Sequence, residues 1–191
     1  MKKSIGAKTF AMPTPVWVVG TYGADGKPNI MTAAWGGICC SEPPCVAVSL
    51  QKVRASYDNI IARKAFTISI PSHAHVVASD YVGIVSGKTT PDKFSSAGLT
   101  VVKSELVDAP YVQEFPLILE CQLVHTIDLG LHTQFVGKIV DVKADEAVLG
   151  DNGLPSLVKV SPISFSPPDR TYYGVGADLG QAFSVGLQLK K

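Results

Sequence analysis

Residues 15–35 read PVWVVGTYGADGKPNIMTAAW, and this stretch carries the strongest prediction of the fold. Its first part, Pro15 to Tyr22, is rich in β-branched and aromatic residues, which favour strands. Gly23 to Lys27 (GADGK) then supplies the positive-φ residues that a hairpin turn requires. A second strand is expected from Pro28 to Trp35. Strands joined by so tight a turn pair antiparallel, because parallel strands need a long crossover connection.

The rest of the chain continues this mainly β pattern. Cys45 to Leu50 (CVAVSL) predicts a third strand, bounded by Pro43 and Pro44, which cannot donate to a ladder. Further strands are predicted at residues 66–70, 117–127 and 135–142, and helices from Ser56 or Asp58 to Lys64 and from Val76 to Gly87. Since no repeat or linker interrupts this order, we expect one domain over residues 1–191, a small β-barrel with inserted helices.

Composition narrows the functional classes. The 191 residues include 17 Lys plus Arg and 16 Asp plus Glu, giving a formal net charge of +1. This balance argues against a nucleic-acid partner, whose binding needs clustered cations. No run of 18 apolar residues exists, and Lys8, Pro13 and Pro15 interrupt any secretory signal, so a cytoplasmic protein without a membrane partner is expected. With 46% hydrophobic and 17% charged residues, the composition indicates an obligate oligomer or a buried apolar ligand site.

The cysteines are Cys39, Cys40, Cys45 and Cys121. They form no C-x-x-C pair and lack a His-rich partner motif, so no metal site is predicted. A redox dithiol would need Cys40 and Cys45 to bring their Cα atoms within about 7 Å. Their spacing permits this without requiring it, and we expect free thiols, buried or close to a ligand.

Two segments have the chemistry of a binding site. Asn29 to Trp35 combines side-chain hydrogen bonders with small residues, which suits a flat ligand, although Met31 and Trp35 could equally face the core. After the third strand, Arg54, the Ser56 hydroxyl and a helix N-terminus could converge on an anion such as phosphate. The alternative is that Ser56 is only an N-cap and that Lys52 and Arg54 are solvated.

Five motifs, taken jointly, resemble the flavin reductase-like family of FMN-binding split barrels and, within it, the flavoredoxin branch. They extend over roughly residues 5–165. The motifs are N-x-M-T-A-x-W at Asn29 to Trp35, P-P-x-V-A-V-S at Pro43 to Ser49, R-x-S-Y-x-N-I at Arg54 to Ile60, S-G-x-x-x-x-D-K-F at Ser86 to Phe94 and H-T-x-F-V-G-x-I at His132 to Ile139.

The resemblance implies a six-stranded antiparallel barrel of Greek-key type that forms a homodimer and holds one FMN per subunit near the dimer interface. It implies that the flavin ring and ribityl chain contact Asn29, Met31, Thr32, Ala33, Ala34 and Trp35. It places Lys52, Arg54, Ser56 and Tyr57 at or near the phosphate, and Lys88, Asp92 and Lys93 over the site. Phe165 is expected to cover the flavin, or else to be a plain strand residue. Residues 169–191 are expected to form a C-terminal arm on the partner subunit.

The expected function is electron transfer through a non-covalently bound FMN, which itself carries the redox chemistry. The alternative is an NAD(P)H-dependent flavin or ferric reductase, in which His132 orients a nicotinamide or flavin edge. Reductases of the family often have Gly-Asp-His where this chain has Gly130-Leu131-His132, so that match is partial, and a surface role for His132 stays open. The electron donor is either NAD(P)H or a redox partner protein. A third hypothesis is a non-catalytic barrel that binds another flat ligand, such as haem.

Overall fold

A computed structural model describes residues 1–190. The strands are β1 Thr14–Pro15, β2 Trp17–Tyr22, β3 Pro28–Ala33, β4 Gly36–Ser41, β5 Pro44–Gln51, β6 Ala65–Ile70, β7 Val101–Lys103, β8 Pro110–Val112, β9 Leu117–Asp128, β10 His132–Ala144, β11 Ser164–Ser166 and β12 Thr171–Tyr173. The helices are α1 Ala55–Arg63, α2 Val76–Ile84, α3 Lys93–Ser96 and α4 Leu157–Val160.

The main sheet is antiparallel, with the strand order β3-β2-β6-β9-β10-β5-β4. The predicted hairpin is present as β2 and β3, in which Trp17 pairs with Ala33 and Tyr22 with Pro28. The mainly β prediction is confirmed, but the sheet has seven strands where six were expected. The additional strand is β4, whose sequence GGICCS has two glycines and little β pattern. It pairs with β5 through a tight hairpin, so tertiary pairing and not propensity forms it.

The sheet curls around an apolar interior. Val19, Val48, Phe66 and Phe135 are fully buried there. Gly137 on β10 makes room for this packing, because a Cβ at that position would lie 2.5 Å from Phe66 Cζ. A second apolar cluster lies between the sheet and the helices α2 and α3. The strand β3 therefore has packed layers on both sides, with Met31 in the first cluster and Ile30 in the second.

The barrel is split between β3 and β5. These strands contact each other, but they are not ladder partners. Next to the gap, Ser49 N donates to Trp35 O at 2.8 Å, which extends the pairing of β4 and β5 by one bond. Because no ladder joins β3 to β5, side chains of these two strands face an open seam.

One acidic side chain is fully buried in the sheet. Glu120 on β9 lies 3.3 Å from Lys143 Nζ, which also contacts Asp141 Oδ2 at 2.7 Å. Within residues 1–190 neither Glu120 oxygen has a well-oriented hydrogen-bond donor. The charge of Lys143 is thus the interaction that balances this buried carboxylate.

The C-terminal region has two parts. β12 joins β11 and β1 in a small sheet, and Tyr172 Oη donates to Asp80 Oδ1 at 2.8 Å. The expected arm over 169–191 therefore leaves the body of the protein only after Gly176, since residues 174–176 line a cavity together with Pro15 and Ile163. Beyond that point the side chains are exposed, including Leu179 and Phe183. Among the described residues, no helix has the length and apolar character needed to span a membrane.

Candidate cofactor site

Three adjoining cavities follow the seam between β3 and β5. The split cavity, about 130 Å³, is lined by Met31, Thr32, Ala33, Ala34, Trp35, Ser49, Leu50, Gln51, Arg54 and His132. The loop cavity, about 10 Å³, is lined by Asn29, Met31, Arg54, Ala55, Ser56, Val85, Ser86, Gly87 and Lys93. The outer cavity, about 470 Å³, shares Ala34, Trp35 and Ser49 with the split cavity and extends past Pro13, Ile38 and Gln134. Because neighbouring cavities share lining residues, the three lie side by side along the seam, and together they are called the groove.

Two cations meet at the loop cavity. Lys93 is 3% exposed, and its Nζ donates to Ile30 O and Val82 O, each at 2.9 Å. Burial, and then the charge of Arg54, lower the pKa of Lys93 from its ordinary value to about 8. Within residues 1–190 no carboxylate oxygen lies within 4.0 Å of either cation. Two neighbouring cations without a counterion form a site suited to an anion.

Helix α1 begins beside these cations. Arg54 occupies its N-cap position with extended backbone and makes no side-chain capping bond. The prediction that Ser56 or Asp58 caps this helix is wrong, because both lie inside it. Ser56 Oγ instead accepts a hydrogen bond of 2.9 Å from Asn29 Nδ2. The free N–H groups of the first turn, together with the positive end of the helix dipole, add to the attraction for an anion.

Glycine allows the loop after α2 to close over β3. A Cβ on Gly87 would overlap the Asn29 side-chain oxygen and would lie 3.4 Å from Ala55 Cβ. Gly83 is similarly close, since its Cβ would be 3.0 Å from Thr32 Cβ. Thr32 Oγ1 also donates to Ser79 O, so β3 is held against α2 by packing and by a hydrogen bond.

The opposite wall of the split cavity comes from the strand pair β5 and β10. His132 is the register partner of Gln51, and both line the cavity together with Arg54. His132 is thus both the first residue of β10 and part of the wall of the split cavity. Ser49 and Gln51 were not among the expected site residues. They alternate with the buried Val48 and Leu50, and this period-2 pattern indicates that they lie on the opposite face of β5.

Most of the expected site residues meet at this groove. They are Asn29, Met31, Thr32, Ala33, Ala34, Trp35, Arg54, Ser56, Lys93 and His132.

The other expected residues do not line the three cavities. Lys52 pairs with Asp128 at 2.5 Å and Lys88 with Asp58 at 3.6 Å, all on the surface. Tyr57 packs edge-on against Phe135, with ring centroids 5.4 Å apart. Asp92 is exposed at the start of α3, and Phe165 packs against Tyr172 with centroids 5.6 Å apart.

The groove fits a flat ligand with an anionic end. Its outer cavity has the volume of a small-cofactor pocket, and backbone and small side chains form much of its wall. The uncompensated cations lie at the other end of the groove. This arrangement matches the chemistry of a ring system that carries a phosphate.

Fold and site together define a split-barrel protein with a cofactor-sized groove that has two cations at one end. A family model described as "Flavin reductase like domain" matches residues 9–165, and the chain belongs to this flavin reductase-like family.

Two solved structures show where the chain lies within the family. The chain is similar to the flavoredoxin of Desulfovibrio vulgaris (Miyazaki F), with 57% identity, a TM-score of 0.93, and coverage of 97% of this chain and 100% of that one. It is similar to the flavoredoxin from Methanosarcina acetivorans, with 30% identity, a TM-score of 0.90 and 99% coverage of both chains. These similarities confirm the predicted relation to the flavoredoxin branch.

A more distant relative is the high molecular weight rubredoxin of Moorella thermoacetica. It is 26% identical over 152 residues, which cover 79% of this chain and 60% of the relative. The similarity therefore leaves about two fifths of that relative unmatched.

Proposed function

We propose that this protein binds FMN non-covalently in the groove and transfers electrons through it, as a flavoredoxin-like flavoprotein. The observation that carries the proposal is the pair Arg54 and Lys93, two adjacent cations with no carboxylate partner within residues 1–190. Flavin without phosphate is uncharged at neutral pH, whereas FMN brings the anion that this pair needs. The similarity to flavoredoxins supports the same conclusion.

Each part of the groove has a role in this proposal. Arg54, the protonated Lys93 and the N–H groups at the start of α1 bind the phosphate. Asn29, oriented by Ser56, offers its amide oxygen to the ribityl hydroxyls. Residues 31–35 form the wall along the ring and exclude water from it. The bound flavin supplies the electron-transfer chemistry, and the protein adjusts its potential through nearby charge and hydrogen bonds.

We further propose that the protein is a homodimer. The arm after Gly176 exposes Leu179, Phe183, Leu187 and Leu189, and these apolar side chains have no cover within the subunit. The strands β9 and β10 expose further aliphatic residues, among them Val124, Ile127, Val140 and Val142. A second copy that packs on both surfaces would remove this apolar area from water.

The electron donor is, in this proposal, a redox partner protein of the cytoplasm. The rubredoxin-named relative supports that class of partner, because its matched part is similar to this chain and its unmatched part leaves room for a fused carrier. An NAD(P)H-dependent flavin or ferric reductase is the second candidate. His132 favours it, because the imidazole lines the split cavity, where it could contact a nicotinamide or flavin edge.

Equilibrium titration of the flavin-free protein with FMN, riboflavin and FAD tests the proposal, with flavin fluorescence as the readout. We expect FMN to bind at least 100-fold more tightly than riboflavin and Arg54→Ala to remove most of that difference. Lys103→Ala, which removes an exposed cation that lines none of the three cavities, is the matched control. Equal affinity for FMN and riboflavin, or a haem spectrum in the purified protein, contradicts the proposal.

Anaerobic reduction distinguishes the two candidate functions. The flavin-loaded protein is mixed with NADH, then with NADPH, and flavin absorbance is followed. Absorbance that persists until a reduced carrier protein is added supports the electron-transfer protein. Rapid bleaching by a nicotinamide supports the reductase.

A further inference from the structure

The hairpin β4–β5 places two cysteines opposite each other. Cys40 is the register partner of Cys45, one pair away from the Ser41–Pro44 pair that closes the turn. Directly opposed residues of antiparallel strands have Cα atoms about 4.5–5.5 Å apart. Disulfides usually join Cα atoms about 4.4–6.8 Å apart, so this pair meets the distance requirement without movement of the backbone.

The two thiols differ in accessibility. Cys40 is exposed, and its Sγ contacts Glu42 O of the turn at 3.3 Å. Cys45 is only 6% exposed. Val46 and Val48 of β5 face the core. Cys45 lies on the opposite face of the strand, together with Ala47, which lines the outer cavity. The exposed thiol of Cys40 thus lies opposite the shielded thiol of Cys45.

The remaining cysteines are less suited to exchange. A β-bulge between Ile38 and Cys40 leaves Cys39 without a register partner. Burial first, and then the thiols of Cys45 and Cys40, raise the pKa of Cys39 and reduce its thiolate fraction. Cys121 is fully buried in the barrel interior, and this burial raises the pKa of its thiol strongly.

We propose that Cys40 and Cys45 form a redox-active dithiol that exchanges with low-molecular-weight disulfides. The Cys40 thiolate attacks one sulfur of the disulfide, forms a mixed disulfide and expels one thiolate, which takes up the proton that Cys40 released. The Cys45 thiolate then attacks Cys40 Sγ, breaks the mixed disulfide and expels the second thiolate, which takes the proton from Cys45. The two protein thiols are oxidised to one disulfide, and the substrate is reduced to two thiols.

The test uses the full chain, equilibrated in glutathione buffers of increasing oxidised fraction. Samples are quenched in acid and alkylated with N-ethylmaleimide in denaturant. One half is read unreduced by tandem mass spectrometry, which separates a Cys40–Cys45 disulfide from glutathione adducts, and the other half is reduced and labelled with iodoacetamide to locate the oxidised positions. We expect Cys40 and Cys45 to lose their free thiols together and dithiothreitol to restore both. No flavin signal is needed, so the result is independent of the proposed function.

Matched variants identify the pair. Cys39→Ser removes the neighbouring thiol and is expected to leave the two-thiol loss unchanged. Cys45→Ser is expected to leave a stable glutathione adduct on Cys40, and Cys45→Ala provides the same readout if the serine disturbs the buried position. The proposal is overturned if wild-type Cys40 carries glutathione while Cys45 stays free, if Cys39 is the oxidised partner, or if all four thiols stay free throughout.

Discussion

Arg54 and Lys93 lie at the same cavity, and the charge of Arg54 helps to lower the pKa of Lys93. Lys93 is also held by two backbone carbonyls, which fix its position without neutralising its charge. The two side chains therefore repel each other in the flavin-free protein. An anion placed between them turns this repulsion into attraction toward the anion.

Lys93 should make stability depend on pH in a defined window. Its pKa of about 8 lies below the ordinary 10.5. Between these values the unfolded chain binds more protons, so the free energy of unfolding rises with pH, by roughly 3 kcal/mol at most. Urea unfolding of the flavin-free protein from pH 7 to 10.5 should show this rise as the difference between the wild type and Lys93→Met, because the raised pKa values of Cys39, Cys121 and Tyr173 act in the opposite direction in both proteins. If the free energy of unfolding had the same pH dependence in both proteins, the lowered pKa of Lys93 would be contradicted.

Gly87 should limit flavin affinity through its contact with Asn29. An added Cβ would overlap the Asn29 amide and push it or the loop away from the seam. We expect Gly87→Ala to weaken FMN binding about tenfold, because such overpacking costs about 1–3 kcal/mol. Gly174→Ala is the control, since its Cβ would meet no atom within 4 Å. Equal losses of FMN affinity in Gly87→Ala and Gly174→Ala would mean that the loop at Gly87 does not control the site.

Lys143 should be needed for the stability of the sheet because it balances Glu120. Lys143→Met is expected to lower the free energy of unfolding by about 3 kcal/mol, since it leaves a buried carboxylate unpaired. Combining it with Glu120→Met should recover most of that loss. Asp141→Asn, which removes the more exposed partner, should cost less than 1 kcal/mol. Urea unfolding measures the free energy of unfolding of all three variants. If the double variant is no more stable than Lys143→Met alone, the pairing of Lys143 with Glu120 is refuted.

The C-terminal arm should control the oligomeric state. A chain that ends at Gly174 keeps β12 and the bond between Tyr172 and Asp80, so its body should remain folded. We expect it to dissociate at concentrations where the full chain is dimeric, as measured by sedimentation equilibrium. Leu179→Ser combined with Phe183→Ser should act in the same direction. An unchanged dimer would assign the interface to the barrel alone.

Local sequence patterns predicted the hairpin and the strands β6, β9 and β10, because each combines β-rich residues with strong turn or boundary signals. β4 could not be found in this way. Its glycines and cysteines have weak preferences, and the strand exists because β5 offers it a ladder. The expected strand to Trp35 ends at Ala33 for the same reason, since the chain turns there toward β4.

The candidate site also has residues that the local sequence predicts and residues that only the tertiary structure identifies. Arg54 was predicted from its place before a helix, which is local information. Lys52, Lys88 and Lys93 could not be ranked from the sequence, since each lies in a polar, charged segment. Tertiary structure separates them: Lys93 is buried under β3, whereas the other two pair with surface aspartates.

Trp35 stands in the wall between the split cavity and the outer cavity, and Trp17 is the other of the two tryptophans in the chain. A ligand in the groove would lie against Trp35, whose indole emission it would quench. Trp17→Phe would leave Trp35 as a single built-in optical reporter. The occupancy of the groove by a flavin could then be followed in an unlabelled protein.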